Sequence, residues 1–171
     1  MIPRQRIKYD TIIAIDPDVD GCGLAVLHKK VIHSRRMSMP EVVEFVRGFK
    51  TREDAIVVVE AGWLNKSNQH INGTERARYA SKVGEKIGRC HEVGKQLLEF
   101  CKFFGVACEE KYPLKKIWQT KTGKISHKEL MQLCNGSGIE YFFETKDQEQ
   151  RDAALLAIDR SGIPMIMAPL K

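Results

Sequence analysis

Residues 55–60 read Ala-Ile-Val-Val-Val-Glu: five apolar residues in a row, four of them β-branched, followed by a carboxylate. β-branched side chains fit an extended backbone, and a strand without polar alternation has to be covered on both faces. Such a strand belongs in the middle of a sheet with helices on either side, so the chain is expected to form an α/β layered domain. The terminal Glu60 adds a second constraint. An ionised side chain against apolar surroundings is costly unless a cation or hydrogen-bond donors meet it.

A second apolar segment, "IIAIDPDVDGCGLAVL" at residues 12–27, carries an acidic cluster of its own. Its D-x-D-x-D-G pattern, Asp16 to Gly21, has the opening of a helix-flanked calcium loop. The twelfth position of that loop requires a bidentate Glu and is Leu27 here, and the residues before Asp16 are of strand type. The calcium reading therefore fails. Two strands at residues 10–16 and 22–28 joined by an acidic turn remain, and Asp18 and Asp20 are expected to serve only that turn. "KVIHSRRMS" at residues 30–38 supplies a third strand, giving an antiparallel meander.

Pro40 opens a helix whose apolar face holds Val42, Val43, Phe45, Val46 and Phe49. The longest periodic segment follows the central strand. Tyr79, Val83, Ile87, Cys90, Gly94, Leu97, Cys101 and Phe104 fall on one stripe of a helix of about 30 residues, capped by Thr74. Gly84, Gly88 and Gly94 within it each cost about 1 kcal/mol against Ala, so close packing is expected to offset them. "GVACEEKY" is a short strand, "SHKELMQLC" a helix with a Ser126–Glu129 capping box, and a last helix runs from about Gln148 to Arg160, stopped by Pro164. Ala153 to Ile158 face inward in that helix. The whole chain, residues 1–171, reads as a single domain without repeats or linkers.

Composition narrows the class of partner. With 43% hydrophobic and 29% charged residues the chain supports a real core. The net charge of +6 and pI near 9.1 favour an acidic partner only weakly. The placement of the charge says more: residues 111–128 hold Lys111, Lys115, Lys116, Lys121, Lys124 and Lys128 and no acid. The five cysteines show no zinc spacing and are expected to be reduced core residues. No apolar run reaches membrane-spanning length, so the protein is expected to be soluble and cytoplasmic, with no membrane partner.

Carboxylates adjoin three apolar segments: Asp16 ends the first strand, Glu60 ends the central strand, and Glu149 and Asp152 open the last helix at i, i+3 on one face. Asp16 alone is explained as a turn former and Glu149 and Asp152 by the helix dipole, whereas a strand as apolar as residues 55–59 seldom ends on a Glu without a partner. Together, with no His or Cys among them, they describe a hard-cation site for Mg²⁺ or Mn²⁺.

The order of these elements, "IIAIDP", then "VVVE", then an acid followed by "DAALLAI", resembles the RuvC-type Holliday junction resolvases of the ribonuclease H-like superfamily, over residues 11–158. The resemblance implies a mixed sheet, three antiparallel strands and then parallel ones, flanked by helices. It implies a Mg²⁺-dependent endodeoxyribonuclease with two ions per active site, held by Asp16, Glu60, Glu149 and Asp152, resolving branched DNA by paired symmetric nicks. An aromatic three residues beyond the central Glu, matched by Trp63, would meet bases at the junction. Basic residues for the DNA backbone would fall in the 111–128 stretch, where Lys128 matches one and Lys115 or Lys116 another. A homodimer, and branch-migration machinery that delivers the substrate, are the partners it implies. The chain departs from the family where Asp18 replaces the usual glycine after Asp-Pro, and relatives vary at the position of Glu149.

In such a site two ions roughly 4 Å apart activate water and stabilise the leaving 3′ oxygen, with Asp16 the expected bridge. Phosphate contacts from the lysines would be independent of sequence and salt-sensitive, and Trp63 could stack on an unpaired base. A nucleic-acid-binding module of the same fold with little or no catalysis is the alternative, which leaves Glu60 and Asp152 unexplained. A sugar kinase or actin-like ATPase is disfavoured because those proteins need two such domains and Gly-rich phosphate loops, and Gly21-Cys22-Gly23 lies in a strand-to-strand turn and does not precede a helix.

Overall fold

The computed structural model describes residues 9–65, 74–115, 117–144 and 146–168. Three strands, β1 (Thr11–Asp16), β2 (Cys22–His28) and β3 (Val31–Met37), form the expected meander. After α1 (Met39–Arg47) the apolar run becomes β4 (Ala55–Glu60), parallel to β1. Then follow α2 (Thr74–Phe104), β5 (Cys108–Lys111), α3 (His127–Ser137), β6 (Glu140–Phe143) and α4 (Gln148–Ser161). The sheet order is β5-β4-β1-β2-β3-β6, with β5 parallel to β4 and β6 parallel to β3.

The apolar run of β4 is explained by what covers it. Along a strand successive side chains point to opposite faces. Ile56 and Val58, with Ile12 and Ala14 of β1, join one core with Leu130 and Leu133 of α3 and Leu156 and Ile158 of α4. Val57 and Val59, with Ile13 and Ile15, join a second core with Val42 and Val46 of α1 and Leu97 and Cys101 of α2. Two helical layers sandwich the sheet, and β1 and β4 are both interior strands, paired on either side. Ala153 to Ile158 are all buried, as their sequence implies.

The structure corrects the sequence reading in several places. β6 was not expected; it forms because Gly138, at φ +66°, ends α3 and sends an aromatic-rich segment along β3. The strand β5 starts only at Cys108, two residues beyond Val106. The stripe of α2 packs only in its second half: Leu97 and Cys101 are buried, whereas Ile87 is 47% exposed. A Cβ at Gly94 would lie 2.6 Å from the Trp63 ring, but one at Gly84 or Gly88 would meet open space, so close packing offsets only one of the three glycines. Last, α4 is ended by Gly162 in the left-handed conformation, with Pro164 beyond it.

Thr74, read as the cap of α2, is its first helical residue, and the side chain of Tyr79 lies outside the described residues. The Ser126–Glu129 capping box is present. All five cysteines are free thiols; burial pushes Cys22 up to about 11 and Cys101 and Cys134 up to about 12, so these three are packing residues. No described helix is long and apolar enough to cross a membrane.

Candidate active site

The site lies where β1 and β4 end. Ile15 pairs with Val59, so the next residues along these parallel strands, Asp16 and Glu60, emerge side by side. On the other side of β1, Asp16 is paired with Gly23 of β2. A Cβ at Gly23 would lie 2.0 Å from the main-chain carbonyl oxygen of Glu149, so only glycine lets the first turn of α4 rest on the strand backbone. That contact carries Glu149 and Asp152 to the end of β1.

A buried polar network fixes this end of α4. Asp147 caps the helix by accepting from the Gln150 N–H at 2.9 Å. The Gln150 side chain, fully buried, donates to Asp147 at 3.2 Å and accepts from Ser34 of β3 at 3.3 Å. The Ser34 hydroxyl is also 2.9 Å from the Tyr141 hydroxyl of β6. Thus the strand missed by the sequence reading helps anchor the helix that bears two candidate acids.

Convergence of the four carboxylates is felt by Asp16. Burial, the charge of Glu60 and the charge of Asp152 push its carboxyl well above the ordinary aspartate value; Lys124 pulls the other way, and Glu149 adds to the rise. Asp152, with 17% of its side chain exposed, accepts from Lys124 Nζ at 2.7 Å through Oδ2 and from Gln148 Nε2 at 2.7 Å through Oδ1. Burial alone would lower the Lys124 ammonium, but its bond to Asp152 and the charges of Asp152, Asp16 and Glu149 outweigh that and hold it above the usual lysine value.

The donor chemistry suits a hard divalent cation: four carboxylates, no imidazole or thiolate among them, and like charges crowded onto Asp16. Among the described residues, though, no three His, Cys, Asp or Glu side chains close into a ready-made metal cage. One cation, Lys124, stands in the cluster.

Trp63 sits in a single 3-10 turn, Gly62–Leu64, directly after β4. Its indole donates to Glu110 at 3.1 Å, packs on Gly94 and meets His91 edge-on at 6.0 Å. With Asp16, Asp18, Glu60 and His91 it lines a cleft of about 290 Å³ between the strand ends and α2. Asp18 and Asp20 form the turn expected of them: the Asp20 N–H donates to Asp18 at 2.8 Å. Lys86 of α2 pins that turn, 2.7 Å from Asp20 and 3.6 Å from Asp18.

The lysine-rich segment divides. Lys111 is ion-paired with Asp159 of α4, and Lys124 is part of the acidic site. Lys115, Lys121 and Lys128 are exposed, and Lys116 lies outside the described residues. The sequence did not reveal Gly23 as the seat of α4, and Lys124, expected among the residues that meet the DNA backbone, stands instead among the carboxylates. Gly23 faces Asp16 across the hairpin, a signal legible once the register is known; a lysine among six carries none.

Three antiparallel strands, with two parallel strands added beside the first of them and one beside the third, make the mixed α/β sheet flanked by helices that the sequence led us to expect, with acids at the ends of β1 and β4. Among solved structures the chain is similar to that of Thermus thermophilus RuvC, at 15% identity and TM-score 0.44, covering 92% of this chain and 99% of that one. It is similar also to T. thermophilus RuvC in complex with a Holliday junction substrate, at 16% identity and TM-score 0.44, covering 93% and 100%. No protein-family model matches the chain, and no curated protein does.

Proposed function

We propose that this protein is a divalent-metal-dependent endonuclease that hydrolyses phosphodiester bonds in branched DNA, cutting four-way junctions by paired nicks. The observation that carries the reading is the crowding of Glu60, Asp152 and Glu149 onto a partly buried Asp16 at the ends of β1, β4 and α4. Like charges crowded into a half-buried site are costly unless a cation, hydrogen-bond donors or a shared proton answers them, and four acids leave room for more positive charge than one lysine supplies. Asp16, Glu60, Glu149 and Asp152 would hold Mg²⁺ or Mn²⁺. When bound, such ions supply an activated water and stabilise the leaving oxygen.

The chain's own residues do the rest. Gly23 and the Asp147–Gln150–Ser34 network hold Asp152 and Glu149 in register with Asp16. Exposed Lys115, Lys121 and Lys128 would contact phosphates without reading sequence. Trp63, tethered through Glu110 beside the acids, would stack on a base unpaired at a branch point. A twofold-symmetric dimer would supply the two sites that paired nicks require.

The lysine seated on Asp152, and the absence of a closed cage among the described residues, favour a second reading: a nucleic-acid-binding module with little catalysis. Cleavage assays on a four-way junction, a flap, a linear duplex and an RNA–DNA hybrid, each with Mg²⁺ or Mn²⁺, separate the two. The endonuclease reading expects cleavage of the junction in preference to the duplex. Junction binding without cleavage of any substrate would establish the binding module instead.

A further inference from the structure

Lys124 is held where it stands by its own loop. Gly123, at φ +69°, closes the turn; its carbonyl accepts from Trp118 N–H at 3.1 Å, and the Thr120 hydroxyl donates to the Lys124 carbonyl at 2.6 Å. The next residue, Ile125, is fully buried, and its carbonyl accepts from Arg151 Nε at 3.1 Å and from Gln148 Nε2 at 3.4 Å, both on α4. The loop and the first turns of α4 are therefore one fixed unit, and the ammonium it presents lies 2.7 Å from Asp152 Oδ2. Gln148 Nε2 takes the other oxygen of the same carboxylate. Asp152 thus has both oxygens engaged, one by a full positive charge.

We propose that Lys124 is a resident counter-ion of the acidic site, a positioning residue that a divalent cation must displace from Asp152 in order to load. This rests on the metal-site reading of the four carboxylates and specifies how that site is kept stable when no ion is bound. A partly buried cluster of four acids would repel itself open; one tethered ammonium acting on Asp16, Glu149 and Asp152 relieves that repulsion. The same ammonium sets a threshold for the ion, because every ion bound at Asp152 has to break the ion pair first.

The test is Mn²⁺ affinity of the full-length, DNA-free protein, read from the free-Mn²⁺ paramagnetic resonance signal. Lys124→Gln and Lys124→Ala are compared with wild type, with Lys124→Arg, and with Lys102→Ala, which removes a charge paired with Glu99 on the surface of α2. An opposite charge at this distance shifts a carboxylate's proton affinity by about ten-fold or more. Lys124→Gln and Lys124→Ala are therefore expected to bind Mn²⁺ about ten-fold more tightly, with Lys124→Arg and Lys102→Ala at the wild-type value. A lysine that merely braces the loop would give the reverse sign. Equal or weaker binding by both Lys124→Gln and Lys124→Ala, with wild type still binding Mn²⁺ and Asp16→Asn not, overturns the counter-ion role and leaves the metal site standing. If neither wild type nor the two neutral variants bind Mn²⁺, both fall together.

Discussion

Asp16 and Asp20 stand four residues apart, one at the end of β1 and one in the turn that follows, and behave in opposite ways. Asp16 closes a buried strand beside Glu60, and burial with three neighbouring acids drives its carboxyl well above the ordinary value. Asp20 is exposed, and the hydrogen bond and charge of Lys86 draw its carboxyl below that value. The residue type is the same; register decides. Asp16 lies on the sheet, where α4 is pressed against Gly23, whereas Asp20 lies beyond it, where solvent and a flexible lysine are the partners. A motif that reads as a single acidic loop is thus two sites, one crowded by three further carboxylates and one answered by an exposed lysine.

The largest effect expected from breaking this contrast is on catalysis. Asp16→Asn should reduce metal-dependent junction cleavage to background while leaving junction binding largely intact, and Asp20→Asn should cut at close to the wild-type rate. Gel-resolved cleavage of both variants checks this.

Next comes the seat of α4. Gly23→Ala places a methyl group 2.0 Å from the Glu149 carbonyl, a main-chain atom that can yield only if the helix shifts. Overpacking of this kind costs about 1–3 kcal/mol, and displacing supported ligands costs about 10–100-fold in metal affinity or activity. Denaturant unfolding and Mn²⁺ titration on the same sample measure both.

The two aspartates should also give opposite pH slopes in metal-free protein. Asp16 has a raised folded-state pKa, so the folded chain binds more protons than the unfolded one: its contribution is full below the ordinary value of 3.8 and is lost as pH rises through the raised value. For Asp20 the pKa is lowered, and its contribution is present above 3.8 and lost as pH falls through the lowered value. Thermal midpoints against pH, in chelator, should therefore show a decline with rising pH that Asp16→Asn removes and Asp20→Asn leaves in place.

Two smaller effects sharpen the picture. Trp63→Ala should weaken junction binding by about 1–3 kcal/mol relative to linear duplex, if its ring stacks on an unpaired base; an equal loss on both substrates would reduce it to a packing residue against Gly94. Lys86→Ala, which removes an exposed bridge, should leave the thermal midpoint nearly unchanged.

Much of this arrangement was legible in the sequence because hydrophobic period and chemistry agreed. Ala55 to Val59 required a two-faced central strand, and Asp16, Glu60, Glu149 and Asp152 each follow or open a segment whose apolar pattern fixes its place. The remainder depends on contacts distant in the chain. β6 is four residues long and finds its place only by pairing with β3, and residues 81–89 of α2 carry an apolar stripe that leaves Ile87 47% exposed at the cleft. Lys124 is one lysine among six until the loop at Gly123 is closed against α4.

The most direct measurement is cleavage of a synthetic four-way junction by wild-type and Asp16→Asn protein side by side, with Mg²⁺, with Mn²⁺ and with chelator. The account predicts paired nicks by wild type with either ion, none in chelator and none by Asp16→Asn under any condition. Undiminished cleavage by Asp16→Asn, or cleavage by wild type that persists in chelator, would contradict it.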